Sequence, residues 1–162
     1  MEALFTIGAY GYDADKFVKT LRKSGIDLIV DVRRRRGMRG GQYSWANAVR
    51  LQERLAEERI GYLHAKDLAP TQEIREVQRT VDEERGLRKR QRPELSEEFA
   101  QAYFRGILEP LNATQTAPWL RGSGTAPALF CVEGWPAACH RSLVAEWLRR
   151  EGLVSKIIHL TP

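Results

Sequence analysis

One segment constrains the fold more than any other, the run Leu28-Ile29-Val30-Asp31-Val32, which is apolar at nearly every position. A short run without polar alternation is typical of a strand that is covered on both faces, as in a parallel sheet. Four further short apolar segments, at residues 4–7, 62–64, 128–132 and 156–160, predict additional strands. The sequence therefore predicts a mostly parallel sheet of about five strands.

Segments with helical patterns separate these strands. Asp13 or Asp15 is placed to cap a first helix, and Ser44 is placed to cap a second. Residues 71–108 contain further helical patterns and form a predicted insertion between the third and fourth strands, whereas residues 112–127 have the composition of a surface loop. Alternating strands and helices predict an α/β fold, a three-layer sandwich that forms a single domain over residues 1–162.

Composition and charge exclude several classes of protein. The chain has 162 residues, of which 43% are hydrophobic and 29% charged, so it can bury a core, and a disordered or low-complexity scaffold is excluded. Its apolar runs are too short to span a membrane and its first residues lack a secretion signal, so we expect a cytoplasmic protein that does not associate with membranes. The net charge of +5 and the pI near 9.5 favour an anionic partner, either a small molecule or a nucleic acid. The oligomeric state is not predicted.

An arginine-rich loop follows the second predicted strand. Arg33-Arg34-Arg35-Arg36 and Arg39 come directly after Asp31 and Val32. Guanidinium groups match phosphate and carboxylate in a planar fork, and the loops at the carboxyl ends of parallel strands are where ligands bind. We therefore interpret Asp31, Arg33 and Arg34 as candidate ligand-binding residues, together with Tyr10 in the loop after the first strand. A solvated basic loop without a ligand is the alternative.

A second distinctive segment follows the fourth predicted strand. Glu133 comes after that strand, and Cys139-His140-Arg141 stand at the start of the next predicted helix. The positive end of the helix dipole and the two basic neighbours favour the thiolate of Cys139, which we expect to react with alkylating reagents. Cys131 lies within the strand, where we expect a buried and inert thiol. The spacing of these residues does not match the paired ligands of a zinc site, so no metal and no cofactor is expected.

Four motifs, read together, resemble the bacterial and archaeal family known as domain of unknown function 488. They are Thr6-Ile7-Gly8, Asp31-Val32-Arg33, Cys131-Val132-Glu133 and Cys139-His140-Arg141. The resemblance covers almost the whole chain, and the segment from Arg33 to Asn47 is similar to one branch of that family. It implies an α/β fold and no established reaction. It also implies an active site at Asp31, Arg33, Glu133, Cys139, His140 and Arg141.

The first functional hypothesis is an enzyme that binds a phosphate-bearing or other anionic substrate between the Arg33 loop and the start of the Cys139 helix. In this hypothesis Arg33 and Arg141 hold the anion. Cys139 is the nucleophile, and Glu133 or His140 transfers protons. Packing without reactivity remains the alternative for Cys139, and the sequence leaves open whether the chain is an enzyme.

Two other hypotheses belong to different classes. The chain could be a nucleic-acid-binding module, whose basic loops at residues 33–39 and 86–93 contact phosphates while aromatic side chains stack on bases. The aromatic residues available for stacking are Tyr10, Tyr12, Tyr43 and Trp45. Alternatively, the chain could be a thiol redox sensor, which requires Cys131 and Cys139 to lie close enough to form a disulfide.

Overall fold

Among the residues that the structure describes, five strands form one sheet, and all of them run parallel to their neighbours. They are β1 (Ala3–Gly8), β2 (Leu28–Asp31), β3 (Gly61–His64), β4 (Pro127–Cys131) and β5 (Lys156–Leu160). The strand order is β3-β2-β4-β1-β5. The computed structural model describes residues 1–121 and 126–162. The predicted α/β fold and parallel sheet are confirmed.

The middle strand of the sheet, β4, lies between β1 and β2. All five of its residues are buried, with β1 on one side and β2 on the other. The register pairs Gly8 of β1 with Cys131 and Asp31 of β2 with Phe130. Because neighbouring parallel strands end at one edge of the sheet, the loops after β1, β2 and β4 meet there.

Helices cover both faces of the sheet. The first two, α1 (Ala14–Lys23) and α2 (Ala48–Glu57), pack on one face, where Phe17 and Leu55 share a core with Ile29 and Phe130. The sheet therefore has one helical layer on this side.

The other face carries α3 (Gln72–Glu84), α4 (Glu97–Tyr103), α5 (Ala113–Thr116) and α6 (His140–Arg150). Tyr103 and Leu148 share the second core with Val30 and Cys131. Since successive residues of a strand point to opposite faces, Ile29 and Val30 serve different cores. The three-layer arrangement predicted from the sequence is confirmed.

Helix starts follow the predicted capping residues in part. The Asp13 carboxylate accepts a hydrogen bond from the backbone N–H of Lys16 at 2.8 Å, which caps α1 as predicted. The prediction for Ser44 is wrong, because Ser44 lies inside a 3₁₀ segment, Gly41–Ala46, and α2 begins only after Asn47.

The predicted insertion is present between β3 and β4. It contains α3 and α4, and α4 continues into a π-helical turn, Phe104–Leu108. The loop predicted for residues 112–127 is wrong in its first half, because α5 forms there and Ala113 is buried, as are Ala117 and Leu120 that follow the helix. Its residues 122–125 lie outside the described residues. Among the helices of the described residues, none has the length and apolar character needed to cross a membrane.

Candidate functional site

The loops after β1 and β4 are joined directly at the carboxyl edge of the sheet. The backbone N–H groups of Ala9 and Tyr10 donate to the Val132 carbonyl, at 3.1 Å and 2.9 Å. A Cβ atom on Gly8 would lie 1.8 Å from the Glu133 carbonyl oxygen, so this close approach requires glycine. The position of the Glu133 segment thus depends on the end of β1.

Two thiols and an imidazole form a buried cluster at this edge. The sulfurs of Cys131 and Cys139 and a ring nitrogen of His140 all lie within 4.8 Å of one another. Cys131 is the last residue of β4, while Cys139 and His140 stand at the start of α6. Cys139 is 2% exposed and Cys131 6%, so exposure does not separate the two thiols as the sequence suggested. Cys131 is buried as expected, but it lies beside Cys139 and therefore shares its environment.

His140 is oriented by the end of β2. Its Nε2 lies 3.0 Å from the carbonyl oxygen of Val32, and a carbonyl oxygen only accepts, so Nε2 carries a proton. Its Nδ1 lies 3.8 Å from the sulfur of Cys131. The Tyr103 ring packs against the imidazole with its edge, at 5.6 Å between ring centroids. Nδ1 is therefore the ring nitrogen that faces the sulfurs and can exchange a proton with them.

The surroundings of the two thiols shift their pKa values in opposite directions. Burial alone would raise the pKa of Cys139, but a hydrogen bond from Cys131, the charge of Arg141 and the hydrogen bond and charge of His140 together hold that pKa well below its usual value. The pKa of Cys131 is raised well above its usual value, first by its hydrogen bond to Cys139 and then by burial. The arrangement favours a thiolate on Cys139 that accepts a hydrogen bond from the Cys131 thiol.

The carboxyl group of Glu133 is nearly buried and has few polar partners. Its side chain is 9% exposed, and its Oε1 has no hydrogen-bond partner among the described residues. Lys89 Nζ and Arg92 Nη2 lie 3.8 Å and 3.9 Å from that oxygen. Burial raises the pKa of Glu133 to about 7, against the opposing charges of Lys89 and Arg92. Glu133 therefore changes its protonation state near neutral pH.

Arg33 lies on the opposite face of the sheet from the thiols. It is paired with Asp31, whose Oδ2 lies 2.7 Å from Arg33 Nη2, and Arg33 Nη1 donates to the Ala46 carbonyl at 2.8 Å. The guanidinium carbon lies 4.6 Å from the centroid of the Phe130 ring. Asp31 also accepts from the Tyr62 hydroxyl at 2.6 Å, so its carboxylate is well satisfied.

The structure therefore does not bring all the predicted site residues into one cleft. Asp31 pairs with Phe130 in the register and shares its face, whereas Cys131, the next residue after Phe130, points to the other face. The Arg33 loop and the Cys139 turn do share an edge, through the contact of His140 with Val32. The Arg33 side chain, which is 1% exposed, points away from that turn.

Arg141 is fully buried and holds the loop after β4. Its Nη1 donates to the Glu133 carbonyl, its Nη2 to the Gly134 carbonyl at 3.0 Å, and its Nε to the Thr6 hydroxyl at 3.4 Å. The guanidinium is 0% exposed. In this conformation its donors serve two backbone carbonyls and the Thr6 hydroxyl, and its charge acts on the neighbouring Cys139.

Arg34 is exposed and lies on the side of α3. The pKa of Glu73, near the start of α3, is lowered by its own backbone N–H, by the Thr71 hydroxyl and by the charge of Arg34. Arg34 is thus the predicted anion-binding residue that remains open to solvent.

Tyr10 contacts a basic segment that the sequence did not place at the site. The guanidinium of Arg90 lies 4.3 Å above the Tyr10 ring, and the Tyr43 ring is 4.9 Å from that of Tyr10. Lys89 and Arg92, from the same segment, face Glu133. The basic run at residues 86–93 is evident in the sequence. Because it is far along the chain from Tyr10, the sequence alone does not show that it lies beside the loop after β1.

Tyr12 and Trp45 are used in the core, and a third predicted stacking residue, Tyr43, is also buried, with 8% of its surface exposed. Tyr12 is 5% exposed, and the Trp45 ring packs 4.8 Å from that of Phe17. Both side chains face the α1 and α2 layer, which makes them unavailable to a nucleobase. The large exposed aromatic near the edge is Trp135, which is 65% exposed and follows Gly134.

The thiol and imidazole cluster is a poor match for a metal site. It offers three donor atoms, one fewer than a structural zinc site and as many as a catalytic one, but the buried charge of Arg141 acts on the same thiols. A cation next to a buried guanidinium is disfavoured, whereas a thiolate is stabilised there. The donor set is therefore better suited to thiol chemistry than to metal binding.

Comparison with known proteins gives one family. The family model described as "Domain of unknown function DUF488" matches residues 13–148, a range that includes Asp31, Glu133 and the Cys139 turn. No curated protein and no solved structure gives a significant match.

Proposed function

Because the chain belongs to the DUF488 family, whose description assigns no reaction, we propose from the site itself that it is a thiol-dependent enzyme acting on a phosphate-bearing or other anionic substrate. The observation that carries this proposal is the cluster of Cys139, Cys131 and His140. In it a thiolate, a thiol that donates to it and an imidazole with an available nitrogen lie together.

Each group has a distinct role in the proposed reaction. Cys139 attacks the substrate as a thiolate, because its charge is stabilised by the Cys131 thiol and by Arg141. Glu133, with its pKa raised to about 7 by burial, is protonated in part at neutral pH and donates to the leaving group. His140 takes or returns a proton through Nδ1. Arg33 and Arg141 then act as positioning residues, through Asp31 and the β4 loop.

The anion is proposed to bind to cations on the thiol side of the edge. Arg34 and Lys89 are exposed there, and Arg90 lies over Tyr10. Exposed guanidinium and ammonium groups retain donors for a phosphate or carboxylate, unlike the buried Arg33. The net charge of +5 agrees with an anionic substrate.

Access to Cys139 requires a movement of the basic segment at residues 86–93 and of Leu95, which follows it. Arg92 Nη2 donates to the Ala138 carbonyl at 3.4 Å, and the Leu95 N–H donates to the Ala137 carbonyl at 2.8 Å. These bonds fasten the segment over the turn that precedes Cys139. A substrate that displaces them reaches the buried sulfur, so binding and opening are coupled in the proposal.

A cytoplasmic location is part of the proposal. Two adjacent free thiols persist in a reducing compartment, whereas an oxidising one would convert them to a disulfide.

The test begins with a thermal-shift screen of the reduced protein against inorganic phosphate, adenosine monophosphate, glucose 6-phosphate and a short single-stranded oligonucleotide. A compound that raises the melting temperature binds the native state. Turnover of that compound is then followed by phosphorus NMR. Cys139→Ser should abolish turnover and retain the thermal shift, while Arg34→Ala should weaken the shift. Turnover that persists in folded Cys139→Ser would overturn the proposed nucleophile.

Nucleic-acid binding is the second candidate, because Trp135 is 65% exposed on the same edge as the basic segment. A base can stack on such a ring while Lys89 and Arg90 contact phosphates. In this case the oligonucleotide binds with a steep dependence on salt, Trp135→Ala weakens it, and Cys139→Ser leaves it unchanged.

A further inference from the structure

The relation between the two cysteines carries an inference that the proposed function does not use. The sulfurs of Cys131 and Cys139 are within 4.8 Å of each other. A disulfide holds its sulfurs about 2.05 Å apart, so they must approach by less than about 3 Å. Rotation of a cysteine side chain between staggered rotamers provides movements on this scale.

The chemistry of the pair is asymmetric, as sequential oxidation requires. Cys139 supplies the thiolate that reacts first, and Cys131 holds a proton that it must lose before it can attack. His140 Nδ1 lies 3.8 Å from the Cys131 sulfur and can take that proton once it has given up its own. The bond from His140 Nε2 to Val32 fixes the ring in the orientation that this transfer needs.

Burial restricts the size of the oxidant. Cys139 is 2% exposed and Cys131 6%, so a bulky disulfide reagent does not reach either sulfur in this conformation. Hydrogen peroxide is comparable in size to water, which makes it the class of oxidant that suits a site of this kind.

We propose that Cys131 and Cys139 form a peroxide-oxidisable pair, in which Cys139 is the reacting cysteine and Cys131 the resolving one. This inference goes beyond the proposed function and does not rest on it, because the disulfide forms without any substrate. If Cys139 is also the nucleophile, the same disulfide switches the enzyme off.

The reaction has two steps and needs only hydrogen peroxide as co-reactant. The Cys139 thiolate attacks one oxygen of the peroxide, the O–O bond breaks, and the departing hydroxide takes the Nδ1 proton of the His140 cation to leave as water, so that this nitrogen becomes a free base. Cys139 is then a sulfenic acid. Cys131 passes its proton to His140 and attacks the Cys139 sulfur, the S–O bond breaks, and the hydroxide leaves as water with that proton. The two cysteines lose two electrons in total, which the peroxide gains.

The experiment treats the reduced full-length chain with one equivalent of hydrogen peroxide and then blocks free thiols with N-ethylmaleimide in denaturant. Intact-mass spectrometry should show loss of both free thiols and a mass lower by two hydrogens. Dithiothreitol should restore both thiols, and peptide mapping should join the Cys131 and Cys139 peptides. The yield should be independent of protein concentration, because the bond is intramolecular.

Two matched variants separate the roles of the cysteines. In Cys131→Ser the sulfenic acid on Cys139 should accumulate and be trapped by dimedone, whereas in Cys139→Ser the remaining thiol should survive the same treatment. Circular dichroism checks that both variants are folded. Folded wild-type protein that keeps both thiols, or that carries Cys139 to sulfinic acid without a disulfide, would overturn the proposal. Neither result bears on substrate turnover by the reduced enzyme, so failure of the two proposals is distinguishable.

Discussion

His140 Nε2 lies 3.0 Å from the carbonyl oxygen of Val32, and this contact fastens the start of α6 to the end of β2. It links the two motifs that the sequence singled out, because Val32 immediately precedes Arg33. It also leaves Nδ1 of the same ring facing the cysteine sulfurs. One hydrogen bond thus serves both the packing of the helix and the orientation of a proton-transfer group.

Removing this contact should destabilise the fold. His140→Ala should lower the free energy of unfolding by about 1–3 kcal/mol, because the buried Val32 carbonyl loses its donor. His140→Gln can place an amide N–H near the same carbonyl and should cost less, while still removing the base that faces Cys131. Urea unfolding measures both. Equal losses in the two variants would mean that the hydrogen bond contributes little.

Arg33 should act on stability more than on ligand binding. Arg33→Ala should lower the free energy of unfolding by about 3–5 kcal/mol, because it leaves the buried Asp31 carboxylate without its cation. The exposed neighbour Arg34 is the matched control, and Arg34→Ala should change stability by no more than about 0.5 kcal/mol.

The double variant Asp31→Asn with Arg33→Met tests the cause of that loss. With both charges removed it should be more stable than Arg33→Ala alone, since no unpaired charge remains buried. Similar stability of Arg33→Ala and Arg34→Ala in urea would contradict the structural role assigned to Arg33.

The fold could be predicted further than the site, and the reason is physical. An apolar run such as residues 28–32 indicates a strand that is buried on both faces of a sheet. The parallel sheet can therefore be predicted from local sequence. The partner of a charged side chain is a long-range property. Nothing near Arg33 in the sequence indicates that its guanidinium folds back on Asp31 and stacks on Phe130, a residue nearly a hundred positions away.

The site residues themselves were found by two kinds of signal. Cys139 and His140 were indicated by their position at a helix start, which a local pattern can show. Lys89 and Arg92 were part of a charge run with no indication of its target, and only the packing of the insertion brings them to Glu133. For Ser44 the local pattern is misleading. It suggests a helix cap, but Ser44 lies inside a 3₁₀ segment that ends before α2 begins.

Gly8 should tolerate no side chain. A Cβ at this position would lie 1.8 Å from the Glu133 carbonyl oxygen, so Gly8→Ala must displace backbone that Arg141 also holds. We expect a loss of at least about 2 kcal/mol in the free energy of unfolding. Gly37→Ala is the matched control, since nothing lies within 4 Å of a Cβ there. A melting temperature for Gly8→Ala that equals that of Gly37→Ala would refute the close approach.

Glu133 should make stability depend on pH between its unfolded and folded pKa values. Burial raises its pKa from 4.5 to about 7, so the folded state binds more protons than the unfolded state in this window. The free energy of unfolding should therefore fall as pH rises from 4.5 to 7, by at most about 3 kcal/mol. The groups that face the carboxyl are Lys89, Arg92, Cys139 and Arg141.

Glu133→Gln isolates this contribution, because the amide does not titrate. The difference in the free energy of unfolding between wild type and Glu133→Gln should change across the window and then level off above about pH 7. Urea unfolding at several pH values measures that difference. A difference that stays constant with pH would show that Glu133 is not held in its neutral form by burial.

The thiolate on Cys139 should be detectable at neutral pH without any reagent reaching it. A thiolate absorbs in the far ultraviolet where a thiol does not, so the absorbance of the reduced protein reports its charge despite burial. Wild type should show this band at neutral pH and Cys139→Ser should lose it, because the pKa of Cys139 is held well below its usual value and that of Cys131 well above. Cys131→Ser should retain the band but move its midpoint to a different pH, because the serine hydroxyl replaces the thiol as donor to the sulfur of Cys139. Loss of the band in Cys131→Ser and its survival in Cys139→Ser would reverse the assignment and make Cys131 the charged sulfur.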